Sequence, residues 1–254
     1  MKLSIVQSDI KWGDVAKNIE ACNELIANHI ENADLLVFPE MFLTGYNIRP
    51  YHVKPGDIKK QYDWVESFSK EHEIALAGSI LYAEGDSFYN QFIISHSGKT
   101  LGTYNKKHLF TPGGEQLAYA KGNSREDIEC NSWKIRPSIC FDLRFPVWLR
   151  NDSDYDLMIC VANWPARRQK AWDILLKARA VENQCYVVGV NRVGDDPSGI
   201  NYIGGSQVID PLGNVLVMAD DKEQVLECQL EKEDITSFRK KFPILPERDE
   251  FILK

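Results

Sequence analysis

The sequence predicts a mixed α/β fold of the α+β kind, laid out as one domain over residues 1–254. Three observations carry this. Residues 3–72 run strand, helix, strand, helix. Residues 74–105 then hold three strand-like runs with no helix between them, which argues against an eight-fold barrel of alternating strands and helices. A strong helical pattern at 169–182 lies between two apolar runs of strand length. The length suits one large domain or two, but no Gly/Ser/Pro linker, repeat or low-complexity stretch divides the chain.

Taken in order, residues 3–7 are a short apolar strand. Over 15–30, Val15, Ile19, Cys22, Leu25, Ile26 and Ile30 recur at helical spacing behind Asp14 as cap. Leu35-Leu36-Val37-Phe38, ended by Pro39, suits a strand covered on both faces. A second helix is expected at 63–72. The runs 74–81, 88–95 and 100–104 are joined by Ala83-Glu84-Gly85-Asp86 and His96-Ser97-Gly98-Lys99, both with turn chemistry. Residues 111–133 read as irregular and polar. Strands follow at 135–140 and 157–162, with a short helix expected at 146–150. In the helix at 169–182, Ala171, Ile174, Leu175, Ala178 and Val181 form one apolar stripe. Residues 186–190 form a strand. The runs 206–209 and 215–217 flank a turn at Asp210-Pro211-Leu212-Gly213-Asn214. Residues 225–230 close the strands, 235–241 are helical, and 243–254 form an extended tail.

Apolar residues make up 44% of the chain and charged residues 26%, so disorder, collagen and small disulfide scaffolds are excluded. A net charge of −7 argues against a general nucleic-acid or anionic-membrane binder. No apolar run approaches the ~18 residues of a spanning helix. The opening MKLSIVQSDIKWGD turns polar before a signal-peptide core of about 7–15 residues is complete. Cys22, Cys130, Cys140, Cys160, Cys185 and Cys228 lie far apart with no C-x-x-C. This is the pattern of free thiols in a reduced, cytoplasmic protein.

Cys140 ends an apolar run and opens the turn Phe141-Asp142-Leu143-Arg144. A nucleophile there emerges at a sheet edge, and the following backbone N–H groups, from Phe141 onward, can face a developing oxyanion. The alternative is a buried structural cysteine, and Cys160 and Cys185 border similar runs. Glu40, at a strand end beside Phe38-Pro39, suits a general base or an ordinary loop carboxylate. Met41, Phe42 and Tyr46 either line a pocket or simply pack. Lys106 and Lys107 sit on an extended segment whose neighbouring side chains point to opposite sides, so at most one faces a site. A lysine there favours a thiolate and can hold an oxyanion. Glu115, after Thr111-Pro112-Gly113-Gly114, either orients that lysine or lies on the surface. Histidines 29, 52, 72, 96 and 108 show no metal-ligand spacing. P-loop, G-x-G-x-x-G and G-x-S-x-G motifs are missing, so no metal or cofactor is expected. A papain-like pairing of Cys140 with His108 or another histidine stays open.

Leu36-Val37-Phe38-Pro39-Glu40-Met41-Phe42-Leu43-Thr44-Gly45-Tyr46 resembles the glutamate motif of the nitrilase (carbon–nitrogen hydrolase) superfamily. Tyr104-Asn105-Lys106-Lys107-His108-Leu109-Phe110 resembles its lysine motif, and Ser138-Ile139-Cys140-Phe141-Asp142-Leu143-Arg144-Phe145-Pro146 its cysteine motif, in the family's order. Val6-Gln7, Asn163-Trp164-Pro165, Lys177 to Asn183 and Arg239 to Pro243 extend the likeness over essentially the whole chain. The resemblance implies a four-layer-forming αββα sandwich of the nitrilase type and a Glu-Lys-Cys triad. It places the base at Glu40, the lysine at Lys106 rather than Lys107, and the nucleophile at Cys140, with Glu115 as an additional glutamate beside the lysine and Phe141 in support. The chain departs from the family at Asn105, where Arg is common, and at Arg136-Pro137-Ser138, where small residues are common.

Phe145 to Arg150 and Asn163-Trp164-Pro165-Ala166-Arg167-Arg168 look most like the omega-amidase subgroup. That implies hydrolysis of the side-chain amide of 2-oxoglutaramate or 2-oxosuccinamate through a cysteine thioester, with no cofactor, in a homodimer or larger homo-oligomer. Arg144, Arg167 and Arg168 are candidates for holding the substrate's carboxylate, and an ion pair with Asp142 is the structural alternative for Arg144. Phe42, Tyr46 and Trp164 are the other expected pocket residues. Two alternatives stand beside this reading. One is another superfamily hydrolase, acting on N-carbamoyl amides, aliphatic amides or nitriles. The other is a non-catalytic interaction protein on the same scaffold.

Overall fold

The computed structural model describes residues 1–46 and 49–253. Its first half runs β1 (Lys2–Gln7), α1 (Val15–Ile26), β2 (Leu35–Val37), α2 (Pro55–Glu71), β3 (Ala75–Glu84), β4 (Ser87–His96) and β5 (Lys99–Asn105). There follow β6 (Ile128–Cys130), β7 (Trp133–Ile139), β8 (Leu157–Ala162), α3 (Gln169–Asn183) and β9 (Tyr186–Asn191). The chain closes with β10 (Val193–Asp195), β11 (Asn201–Ile203), β12 (Gln207–Ile209), β13 (Val215–Met218), β14 (Gln224–Gln229) and α4 (Lys232–Lys241). One six-stranded sheet has the order β14-β1-β2-β3-β4-β5, and a second has the order β13-β12-β9-β8-β7-β6. In the first, β1, β2 and β3 are parallel; in the second, β7, β8 and β9 are.

Side-chain alternation along the strands decides the layers. Leu3, Ile5, Leu35, Val37, Ala75, Ala77, Phe92 and Ile94 join Ile135, Ile139 and Leu157 of the second sheet in one buried cluster. Their neighbours Val6, Leu36, Leu76 and Ile93 turn the other way, onto Cys22 and Ile26 of α1 and Val65 and Phe68 of α2. Helix α3 covers the second sheet, seating Trp172 and Leu176 where a side chain on Gly189 of β9 would lie. The result is the αββα sandwich implied by the sequence motifs. No described helix is long and apolar enough to cross a membrane.

Several local expectations are corrected. Helix α1 stops at Ile26 rather than residue 30. Helix α2 starts at Pro55, a residue that suits a first turn because its missing N–H has no partner to lose there. Residues 128–130 form an edge strand inside the stretch read as irregular. No helix forms at 146–150. The 3-10 turn lies earlier, at Cys140–Arg144, and Pro146 holds Phe145 out of helical geometry at φ −115°, ψ 86°. The apolar stripe of α3 is not its inward face. Trp172, Leu176, Arg179, Ala180 and Asn183 are buried, while Ile174 and Val181 are 56% and 49% exposed. Hydrogen bonds make the polar burial possible: Arg179 donates to the Leu143 carbonyl at 2.7 Å, and Asn183 accepts from the Asn151 N–H at 2.8 Å. The β10–β11 hairpin was not anticipated. Within the tail, Leu245–Glu247 is a 3-10 turn, and Lys254 lies outside the described residues.

Candidate active site

Lys106, Cys140 and Asn163 are each the first residue after a strand, β5, β7 and β8 respectively, and Glu40 follows shortly after β2. These strand ends converge on a cavity of about 180 Å³. Glu40, Tyr46, Lys106, Cys140, Phe141, Asn163 and Trp164 line it, as do Arg144, Arg167 and Arg168, and Ser198, Ile200 and Tyr202 of the unanticipated hairpin close one side.

At its centre a buried ammonium sits between two buried carboxylates, none more than 1% exposed. Lys106 Nζ lies 2.9 Å from Glu40 Oε1 and 3.0 Å from Glu115 Oε2. Glu40 Oε1 also accepts from Asn90 Nδ2 at 2.7 Å, and Oε2 from the Asn163 N–H at 2.7 Å. The Asn163 side chain donates to the Glu40 carbonyl at 2.7 Å. These donors, with Lys106, fix Glu40 and give both its carboxylate oxygens a partner. Burial acts to lower the Lys106 pKa, but Glu115 and Glu40 more than reverse it and hold the ammonium well above its ordinary value. Burial raises the Glu115 carboxyl, and Lys106 opposes that rise. Lys107, next in sequence, points outward and lays its ammonium 5.0 Å from the Trp148 ring centre.

Cys140 takes φ 46°, in the left-handed region that a side chain enters only at a cost. Its Sγ–H points at the Asn163 carbonyl, 3.8 Å away. Burial pushes the thiol well up and Glu40 adds to this, while Lys106 pulls it down. Burial and Glu40 thus favour the thiol over the thiolate. Cys22, Cys130, Cys160 and Cys185 are all buried. Burial alone pushes Cys130 up to about 11, and burial pushes Cys160 and Cys185 up to about 12. Cys228 is partly exposed, on the β14 edge strand.

The expected pocket residues divide. Tyr46 lines the cavity with its ring centre 5.4 Å from Lys106 Nζ, and its buried hydroxyl has no hydrogen-bond partner among the described residues. Phe42 does not reach the cavity. Past the left-handed backbone of Met41 it turns into the layer between the first sheet and α2, stacking on Phe38 at 4.7 Å. Arg144 is not paired with Asp142; it lies over the Trp164 ring at 4.9 Å, and Arg168 lies over Phe110 at 5.0 Å. Among the described residues no acidic side chain pairs with Arg144, Arg167 or Arg168. Burial, with Arg167 nearby, lowers the Arg168 pKa. His108 contacts Asp142 rather than the sulfur, and no histidine lines the cavity. Asn90 and Asn163 were not singled out as functional from the sequence. The available signal was a polar pair, Asn90-Gln91, inside an otherwise apolar strand. Among the described residues no three His, Cys, Asp or Glu side chains gather as a metal site.

The carbon-nitrogen hydrolase profile matches residues 2–240. The chain is 38% identical to omega-amidase YafV of Yersinia enterocolitica, over all of this chain and 98% of that one. It is 30% identical to the 2-oxoglutaramate amidase of Bacillus subtilis over 95% of each. Among solved structures, XC1258 from Xanthomonas campestris, a CN-hydrolase superfamily protein with an arsenic adduct in its active site, superposes with a TM-score of 0.92 at 34% identity, covering 100% of this chain and 99% of that one. Strand ends that deliver a glutamate, a lysine and a cysteine to one cavity, on a fold shared with these proteins over its full length, place the chain in the carbon-nitrogen hydrolase family.

Proposed function

We propose that this protein hydrolyses the side-chain amide of a small 2-oxo acid, 2-oxoglutaramate or 2-oxosuccinamate, to the acid and ammonia. The observation that carries the reading is the Lys106 ammonium held between Glu40 and Glu115 in the cavity that Cys140 opens into. Glu40 takes the Cys140 proton as the sulfur attacks the amide carbon. Lys106 and the Phe141 N–H stabilise the oxyanion, each such donor being worth roughly 3–4 kcal/mol. The C–N bond breaks, Glu40 returns the proton to the departing ammonia, and a thioester remains. Glu40 then takes a proton from water as its oxygen attacks the thioester carbon, the C–S bond breaks, and Glu40 returns the proton to the departing sulfur, releasing the acid and restoring the Cys140 thiol. Glu115 holds Lys106 in place.

The omega-amidase and 2-oxoglutaramate amidase relatives support the substrate class. So do the three guanidinium groups at the cavity, which have no acidic partner among the described residues, in a chain of net charge −7. Guanidinium geometry matches a carboxylate. The same reading takes residues 1–254 as one catalytic domain in the reducing cytoplasm, assembled as a homodimer or larger. The exposed Ile174 and Val181 of α3, beside the 210–214 turn with its exposed Leu212, offer an apolar face for that assembly.

Ammonia release from 2-oxoglutaramate should exceed that from glutamine or a simple nitrile by at least about 100-fold in kcat/KM. No release from the keto-amide would overturn the substrate class, and carbon dioxide release from N-carbamoyl amides would replace it. Arg168→Ala should raise KM for 2-oxoglutaramate roughly 10- to 100-fold, the worth of a hydrogen bond to a charged group, with kcat much less changed. An unmoved KM would remove Arg168 from carboxylate binding.

A further inference from the structure

Glu40 and Lys106 follow strands of the first sheet, whereas Cys140 follows a strand of the second. Chemistry between them requires the two sheets to be fixed against each other at this edge. One polar tie is Asn163 on Glu40. Another centres on Asp142, two residues beyond Cys140 and fully buried. Its Oδ2 accepts from the Tyr104 hydroxyl at 2.8 Å and from the Ile139 N–H at 3.0 Å. Its Oδ1 accepts from the His108 N–H at 2.9 Å and lies 2.8 Å from His108 Nδ1. Three of these four contacts come from residues 104–108, the segment that carries Lys106. The fourth comes from the residue before Cys140. Tyr104 is itself fixed, its oxygen accepting from Trp148 Nε1 at 3.0 Å and from the Lys107 N–H at 3.1 Å. The His108 ring lies flat on Phe145, 3.7 Å between centroids and 5° between planes.

We propose that Asp142 is a positioning residue, a clamp between sheets that sets where the Lys106 ammonium stands relative to the Cys140 sulfur. Asp142 is not among the residues lining the cavity, so it acts through its partners. The sequence spacing follows from this geometry. Lys106 and His108 are two residues apart, as are Cys140 and Asp142, so each reactive side chain is followed two positions later by its half of the clamp. The proposal rests on the reading that Lys106 and Cys140 act on the same substrate.

The test compares Asp142→Asn and Tyr104→Phe with the parent enzyme. Turnover of 2-oxoglutaramate is expressed per active site, with sites counted by stoichiometric iodoacetamide labelling of Cys140. Asparagine keeps the volume of aspartate, but in either orientation it turns an N–H2 toward donors. Tyr104→Phe removes the hydroxyl's bonds to Asp142, Trp148 and the Lys107 N–H, and leaves the two His108 contacts and the Ile139 bond of Asp142 intact. Turnover per labelled site should fall about 100-fold in Asp142→Asn, the cost of misplacing groups by about 1 Å. It should fall about 3- to 10-fold in Tyr104→Phe, the worth of the single bond to Asp142 that the clamp loses there. KM should stay within about three-fold of the parent value in both. A residue that merely supports the fold would reduce the number of labelled sites and leave turnover per site at the parent level; that outcome overturns the clamp. If Asp142→Asn does not fold, Tyr104→Phe decides by the same two outcomes. If the parent labels at Cys140 but leaves the keto-amide intact, the substrate reading fails. The clamp is then decided by the labelling rate constant at neutral pH, with slower labelling in the variants supporting it and an unchanged or faster rate overturning it.

Discussion

Cys140→Ala should release no measurable ammonia from 2-oxoglutaramate, a loss on the order of 10⁶-fold in kcat, while remaining folded. In the proposed mechanism no thioester forms without the sulfur, and Glu40 has no nucleophile to deprotonate. The fold should survive because the residue sits at a cavity wall rather than in the closed core. Its backbone supplies a second, sharper expectation. Cys140 is held at φ 46°, and alanine inherits that conformation, which costs about 1–2 kcal/mol for any residue with a Cβ. Glycine escapes the cost but gains about 0.4–1 kcal/mol of disorder in the unfolded chain. Cys140→Gly should therefore melt above Cys140→Ala, by about 0.5–1 kcal/mol in calorimetry. The reverse order would mean that the turn is not strained. Cys160→Ala is the control: it removes a buried sulfur from β8 and should lower stability slightly while turnover persists.

How much of this was legible in the sequence depends on the range of the interaction. Leu35-Leu36-Val37 announces a strand because a short continuous apolar run suits one buried on both faces, and burial acts residue by residue. Glu40, Lys106 and Cys140 were readable as strand-end positions for the same reason. The ties that hold them were not. Asn90 and Asn163 reach Glu40 across 50 and 123 residues, and Asp142 reaches His108 across 34. Nothing local in a buried Asn or Asp names its partner. Helix α3 failed differently. Counting apolar residues selected Ile174 and Val181, but Arg179 and Asn183 are inward because hydrogen bonds satisfy them there. Phe42 failed through backbone geometry, since the left-handed Met41 between it and Glu40 breaks simple alternation.

Lys106→Met should lose activity by at least about 10³-fold, through the missing oxyanion donor, and should also be strongly destabilised near neutral pH. The two losses have separate causes. In the parent, Lys106 offsets the charge of two buried carboxylates in part, and its contribution lasts across neutral pH because their charges hold its pKa well above the ordinary lysine value. It fades only as pH rises through that elevated value. Removing the ammonium leaves Glu40 and Glu115 side by side and uncompensated, at a cost of about 3–5 kcal/mol. Burial already raises the Glu115 carboxyl with Lys106 present. Without Lys106 it must rise further. A carboxyl with a raised folded-state pKa stabilises the protein when protonated and loses that stability as pH climbs. The deficit of Lys106→Met relative to the parent should therefore shrink from pH 7.5 to mildly acidic pH in urea unfolding. Adding Glu115→Gln removes one of the two stranded charges and should recover much of the stability at neutral pH, yet none of the activity, because the donor to the oxyanion is still missing. Recovery of both together would mean that Lys106 serves only to hold the carboxylates. Recovery of neither would mean that Glu115 is not the charge Lys106 offsets.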